Sequence, residues 1–132
     1  SDNLAIETTA RVDLSIPPIE RIKNSSITFS DGFGNSLQSF LQNSQMQIVG
    51  TISNEHDFKQ KFVYVFQVKN DKNVIESLSW IQGEIPSKQS LDVSQSWIPI
   101  KSEIYEIETF VWNSINDPTA LSPFMSTMIT IP

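Results

Sequence analysis

In Phe62-Val63-Tyr64-Val65-Phe66-Gln67-Val68-Lys69 the side chains Phe62, Tyr64, Phe66 and Val68 recur at every second position. A period of two is the repeat of a strand that turns one face to a core, and it is incompatible with the 3.6-residue repeat of a helix. Met46, Ile48, Gly50 and Ile52 follow the same rule. Working outward, further short runs rich in Val, Ile, Phe, Tyr, Trp and Thr predict strands at Ser26 to Ser30, Gln45 to Ser53, Phe62 to Lys69, Val74 to Trp80, Leu91 to Ile98, Ile104 to Trp112 and Thr127 to Ile131. Turn residues separate them: Asp31-Gly32-Phe33-Gly34-Asn35, Asn54 to Asp57, Asn70-Asp71-Lys72-Asn73, Gly83 with Pro86, and Asn116-Asp117-Pro118. The Asn70 to Asn73 stretch is a hairpin signal. Only Ser36 to Gln45 could hold a helical turn, with Leu37, Phe40 and Leu41 at i, i+3, i+4 spacing, and it is too short to change the class. Seven short strands in about 105 residues predict an all-β chain, an immunoglobulin-like or fibronectin type III-like antiparallel β-sandwich. Tyr105, at the start of a late strand, stands where a tyrosine corner belongs.

Composition narrows the function. The chain has 132 residues, 39% of them hydrophobic and 18% charged, enough for one packed domain rather than a disordered tail. Nine basic against fifteen acidic residues give a net charge of −6, so no basic footprint attracts a phosphate backbone, and nucleic acid is not an expected partner. The absence of cysteine removes disulfides, thiolate metal sites and cysteine nucleophiles. No window reaches the roughly 18 to 20 apolar residues of a membrane-spanning helix, so the chain is read as not membrane-spanning. It starts at Ser1, as a processed mature chain or an excised piece would.

The stretch Ser77-Leu78-Ser79-Trp80-Ile81-Gln82-Gly83, then Gln89-Ser90-Leu91 with Ser94-Gln95-Ser96-Trp97, then Phe110-Val111-Trp112 and Pro118-Thr119-Ala120-Leu121-Ser122-Pro123, resembles a repeated Ig-like domain of archaeal surface proteins, those of ammonia oxidisers among them. Phe29-Ser30-Asp31-Gly32-Phe33-Gly34-Asn35 is similar to the first strand and turn of that domain. The resemblance covers residues 26 to 131. It implies an extracellular, cell-surface accessory domain of fibronectin type III or cell-adhesion shape, without a catalytic site or a cofactor, and it says nothing about a ligand.

Residues 1 to 16 lie outside that resemblance. Leu4, Ile6, Thr8, Ala10, Val12, Leu14 and Ile16 occupy the even positions, and Ala5, Glu7, Thr9, Arg11, Asp13 and Ser15 the odd ones. This is a 13-residue strand with one apolar face, reaching about 43 Å at roughly 3.3 Å per residue, against the ~17 to 20 Å of an ordinary strand. Pro17-Pro18 stops the ladder and sets the segment off as an arm on a stiff hinge, so the chain divides into an arm at 1–18 and a sandwich at 19–132. Burying each larger aliphatic of the arm is worth on the order of 1.5 to 3 kcal/mol before ordering entropy. The arm therefore needs a partner surface. It is the first strand of its own sandwich, the last strand of a preceding repeat, or a donor strand that completes a neighbouring copy's sheet, and donation of this kind builds a head-to-tail polymer.

Other candidates carry weaker signals. Glu55-His56-Asp57 has the composition of a weak metal site but reads as a solvated turn, and no metal is expected. Glu106 and Glu108 share a strand face about 7 Å apart, a spacing that invites a glycosidase reading; a solvent-facing pair is expected instead. Trp80, Trp97 and Trp112 would make a sugar-stacking platform if exposed together, or plug the core if not. Asn24-Ser25-Ser26 is an acceptor sequence for N-glycosylation at Asn24. The expected function is a secreted structural subunit of a surface filament or layer, a homo-oligomer joined through its arm. The alternative is a monomeric or tandem module that binds a glycan or another surface ligand.

Overall fold

A computed structural model of the protein describes residues 16–132, and its strands are β1 (Lys23–Ser30), β2 (Met46–Ser53), β3 (Gln60–Lys69), β4 (Ile75–Ile85), β5 (Ser90–Trp97), β6 (Ile104–Trp112) and β7 (Met125–Thr130). They form two sheets, ordered β1-β2-β5 and β4-β3-β6-β7, and every pairing is antiparallel. This is the expected Ig-like sandwich. The inward rows come from alternate residues: Ile48 and Ile52 of β2, Phe62, Tyr64, Phe66 and Val68 of β3, and Tyr105, Ile107 and Val111 of β6 are all buried in one core. Alternation places them there, since the intervening side chains must point to the opposite face of each sheet.

The turns follow local side-chain chemistry. At Asn70 the Oδ1 accepts from the backbone N–H of Lys72 and Val74, and Asn73 takes a left-handed φ of 64°, which closes the β3–β4 hairpin where the sequence placed it. Asp31 does the same for the turn after β1, accepting from the N–H of Phe33 and Asn35. Bonds from Asn35 and then Phe33 hold the Asp31 carboxyl below its ordinary range. The Tyr105 hydroxyl donates to the Lys101 carbonyl at 3.2 Å while its ring packs edge-on against Trp97, centroids 4.9 Å apart, so the tyrosine corner is present. Tyr105→Phe keeps the ring and loses only that bond. A thermal melt should show a loss of about 1 kcal/mol, roughly 3 to 6 °C at this size.

Four local expectations are corrected. Residues 36–45 hold no helix; the Leu37 N–H donates to the Phe29 carbonyl, and Leu37 and Phe40 pack on the core as loop residues. Gly83 is not a turn but lies inside β4, paired with Phe62, whose ring a side chain there would press on; the turn comes later, after Ile85. β1 begins at Lys23, three residues early, its polar start accommodated by a register shift between Asn24 and Ser26. β7 ends at Thr130 and starts two residues before the expected Thr127.

Candidate functional site

Of the alternating arm, Leu4, Ile6, Thr8, Ala10, Val12 and Leu14 lie outside the described residues; Ile16, half-buried, is the first inside them. The segment after Ile16 is tied to the body. Pro17 is extended (φ −54°, ψ 139°) and Pro18–Glu20 makes a single 3-10 turn. The Ile22 N–H donates to the Leu121 carbonyl at 3.0 Å, and Ile22 itself is buried in the core. Arg21 Nε reaches the Ile16 carbonyl at 3.4 Å, and the His56 Nε2 lies 2.9 Å from the Glu20 carbonyl. His56 thus steadies the end of that 3-10 turn and stacks on Phe58, with ring centroids 5.5 Å apart. Among the described residues no group of three or more His, Cys, Asp or Glu could hold a metal ion.

The second feature is the outer face of the four-stranded sheet. Val63 and Val65 point away from the core and yet are buried, at 0% and 2% exposure, because their neighbours on that face are large. Val65 is flanked by Trp80 on β4 and Phe110 on β6, and Val63 is paired with Trp112. Phe110 lies 5.9 Å from Trp112 and stacks on Phe124 at 5.7 Å. Ile19 joins Phe110, Trp112, Ala120 and Phe124 around a shallow cleft of about 270 Å³. Trp80 and Phe124 stay roughly half exposed. The platform imagined from three tryptophans is therefore divided: Trp80 and Trp112 face outward, while Trp97 is in the core against Tyr105.

Sequence reasoning missed Phe110, Phe124 and the two valines as members of this face. The signal was present in the five consecutive apolar residues Phe62 to Phe66, since a strand with one wet face would not carry apolar side chains on both. Beyond the aromatic band the face turns polar. Glu108, expected to face solvent, is only 9% exposed: it accepts from Gln67 Nε2 at 3.0 Å and pairs with Lys69 Nζ at 2.7 Å. That bond to Glu108 raises the Lys69 pKa. Glu108 is thus held by Gln67 and Lys69 on the sheet surface rather than facing open solvent beside Glu106.

Asn24 lies at the seam between the sheets. Its Nδ2, the atom a glycan would modify, donates to Oγ1 of fully buried Thr109 at 3.1 Å. In the folded domain that nitrogen is turned inward and already engaged.

No family model matches the chain, and no curated protein is similar to it in sequence. Solved structures match its fold. A β-glucuronidase of Bacteroides uniformis superposes with a TM-score of 0.69 at 12% identity, over 86% of this chain but only 14% of that one. The C-terminal domain of wzt gives 0.68 at 9% identity, over 86% of this chain and 74% of that domain. The CARDB domain of the PF1109 protein from Pyrococcus furiosus gives 0.55 at 10%, over 83% and 90%. At these identities the likeness is one of fold, an Ig-like β-sandwich.

Proposed function

We propose that the chain is a non-catalytic structural module of an extracellular, cell-surface assembly, and that it polymerises by donating its N-terminal arm to the sheet of a neighbouring copy. The observation carrying this reading is that residues 23–130 already supply seven strands, with the first position of the β1-β2-β5 sheet filled by Lys23–Ser30. The 13-residue alternating stretch ahead of them is not needed to complete either sheet. The location rests on the resemblance that the sequence motifs of residues 26 to 131 suggest to surface-protein domains. The pairing of Glu108 with Lys69 supports a non-catalytic role.

The test is assembly. The full chain, concentrated and imaged by negative stain, should form filaments or layers. Deleting residues 1–15 should leave a body that melts cooperatively and stays monomeric on size exclusion. A full chain that stays monomeric at every concentration overturns the reading. So does a truncated body that unfolds and is not rescued by arm peptide, which would place the arm inside its own domain.

A second reading is favoured by one observation, the half-exposed aromatic band of Trp80, Phe110, Trp112 and Phe124, whose ring faces suit sugar stacking. Saturable quenching of tryptophan fluorescence by an oligosaccharide, lost in Trp80→Ala, would support a glycan-binding module.

A further inference from the structure

We propose that the outer face of the β4-β3-β6-β7 sheet binds an uncharged oligosaccharide laid across the strands, with aromatic rows for its ring faces and a polar row for its hydroxyls; this rests on the glycan-binding reading above and not on the polymer. Register builds the site in three rows. The first holds Gln82, Val63 and Trp112, the second Trp80, Val65 and Phe110 with Phe124 beyond it, and the third Leu78, Gln67, Glu108 and Ser126. The short valines of β3 are buried, covered on this face by the side chains beside them. A ring that covers a valine with one face turns the other to solvent, and Trp80, at 48% exposure, matches such a ring. Phe110 is inclined by 40° to Trp112 and by 25° to Phe124, so the planes turn gradually along the band. The C–H face of a sugar ring gains by covering aromatic surface of this kind. In the third row the polar groups are already held in place: Gln67 Nε2 donates to Glu108 Oε1 at 3.0 Å, and Lys69 Nζ pairs with the same oxygen at 2.7 Å. The amide oxygen of half-buried Gln67 and the amide of exposed Gln82, on opposite borders of the rings, suit sugar hydroxyls.

Size and charge decide the occupant. Three strand spacings of about 4.8 Å separate Trp80 from Phe124, and a same-face step of about 7 Å separates successive rows, so the apolar band, Leu78 included, measures on the order of 100 to 200 Å². A stable protein interface takes about 800 Å² from each partner. The band is too small to seat a folded protein and fits a chain of a few sugar rings. The charges in register on the same face are Lys61 and Lys69 against Glu84, Glu106 and Glu108, in a chain of net charge −6. An anionic glycan would meet repulsion there, so the ligand is a neutral one. The cleft of about 270 Å³ between Ile19, Phe110, Trp112 and Phe124 seats one end of the chain, and Trp80, on the other side of Val65, takes the other. Affinity should therefore rise with the number of sugar units.

Titration calorimetry of the full chain tests this with neutral hexasaccharides (cellohexaose, mannohexaose and chitohexaose), their monosaccharides, and anionic hexagalacturonate. At least one neutral hexasaccharide should bind saturably, and about tenfold or more tighter than its monosaccharide or hexagalacturonate. Trp80→Ala and Phe124→Ala, at the two ends of the band, should each weaken that binding about tenfold or more with unchanged thermal melts. Gln67→Leu should weaken it several-fold, and Phe33→Ala, an exposed ring on the turn after β1, should leave it unaltered. Binding that survives both Trp80→Ala and Phe124→Ala overturns this site and leaves a glycan-binding module standing. Preference for hexagalacturonate, or a monosaccharide that binds as tightly as its hexamer, overturns the neutral, extended ligand. Full affinity in Gln67→Leu overturns the polar row. No saturable binding of any probe overturns the glycan reading along with the site.

Discussion

Ile6→Asp is expected to abolish assembly and leave a folded monomer, whereas Glu7→Lys, one residue away, should assemble nearly as the unmodified chain does. Side chains of a strand alternate, so an arm that binds as a strand puts Ile6 on its apolar face and Glu7 on its polar one. An unpaired carboxylate buried against a partner costs several kcal/mol, and each ~1.4 kcal/mol is a tenfold loss of association. Two to three orders of magnitude in polymer affinity are therefore at stake for Ile6, against roughly 0.5 kcal/mol for an exposed substitution. Sedimentation at matched concentrations with thermal melts of both variants checks this. Equal effects from the two substitutions would show that the arm does not bind as a strand. If Ile6→Asp instead lowers the melting temperature of the monomer, the arm belongs to its own domain.

Where the period of two was strong, the fold was legible from sequence. β2 and β3 lie where the alternation put them, β6 lies where its run of strand-forming residues did, and the Asn70 hairpin and Tyr105 corner formed from residues whose side chains bond their own neighbourhood. What escaped were features decided across the sheet. Leu37, Phe40 and Leu41 have helical spacing, but ten residues are too few to repay helix nucleation, and the N–H of Leu37 gains more by pairing with Phe29. Lys23 and Asn24 look like loop, yet they pair with β2 while Asn24 bonds Thr109 across the sandwich. The aromatic band was hidden because its members come from β4, β6 and the segment before β7, and only register brings Trp80 and Phe110 to either side of Val65. The arm is the opposite case: its alternation is plain in the sequence, and what would cover its apolar positions is not something a sequence spells out.

Gly50→Ala should damage the body severely for so small a change, lowering stability by about 3 kcal/mol and the melting temperature by roughly 10 to 15 °C. Gly50 stands in the alternating row of Ile48 and Ile52, where a glycine looks like a weak point of the strand. The fold gives it a different purpose. A Cβ at Gly50 would overlap the phenol of Tyr64, which crosses from the facing sheet into the slot the missing side chain leaves. The ring has little room to retreat, being fully buried with its centroid 4.7 Å from that of Phe66. Burial pushes the Tyr64 pKa up to about 12, with Thr109 and Asn24 acting in the opposite direction, so the phenol stays neutral throughout the ordinary pH range. Gly83→Ala should cost less, since its Cβ meets only the edge of the Phe62 ring at 3.0 Å, and Gly32→Ala, with nothing within 4 Å, should stay within about 0.5 kcal/mol. Tyr64→Leu costs stability alone by emptying the slot, but combined with Gly50→Ala it should cost less than the sum, with a coupling of at least about 1 kcal/mol from a double-mutant cycle. Strict additivity would mean that Gly50 is kept for some reason other than the phenol, and that the inward face of β2 tolerates a side chain at its centre.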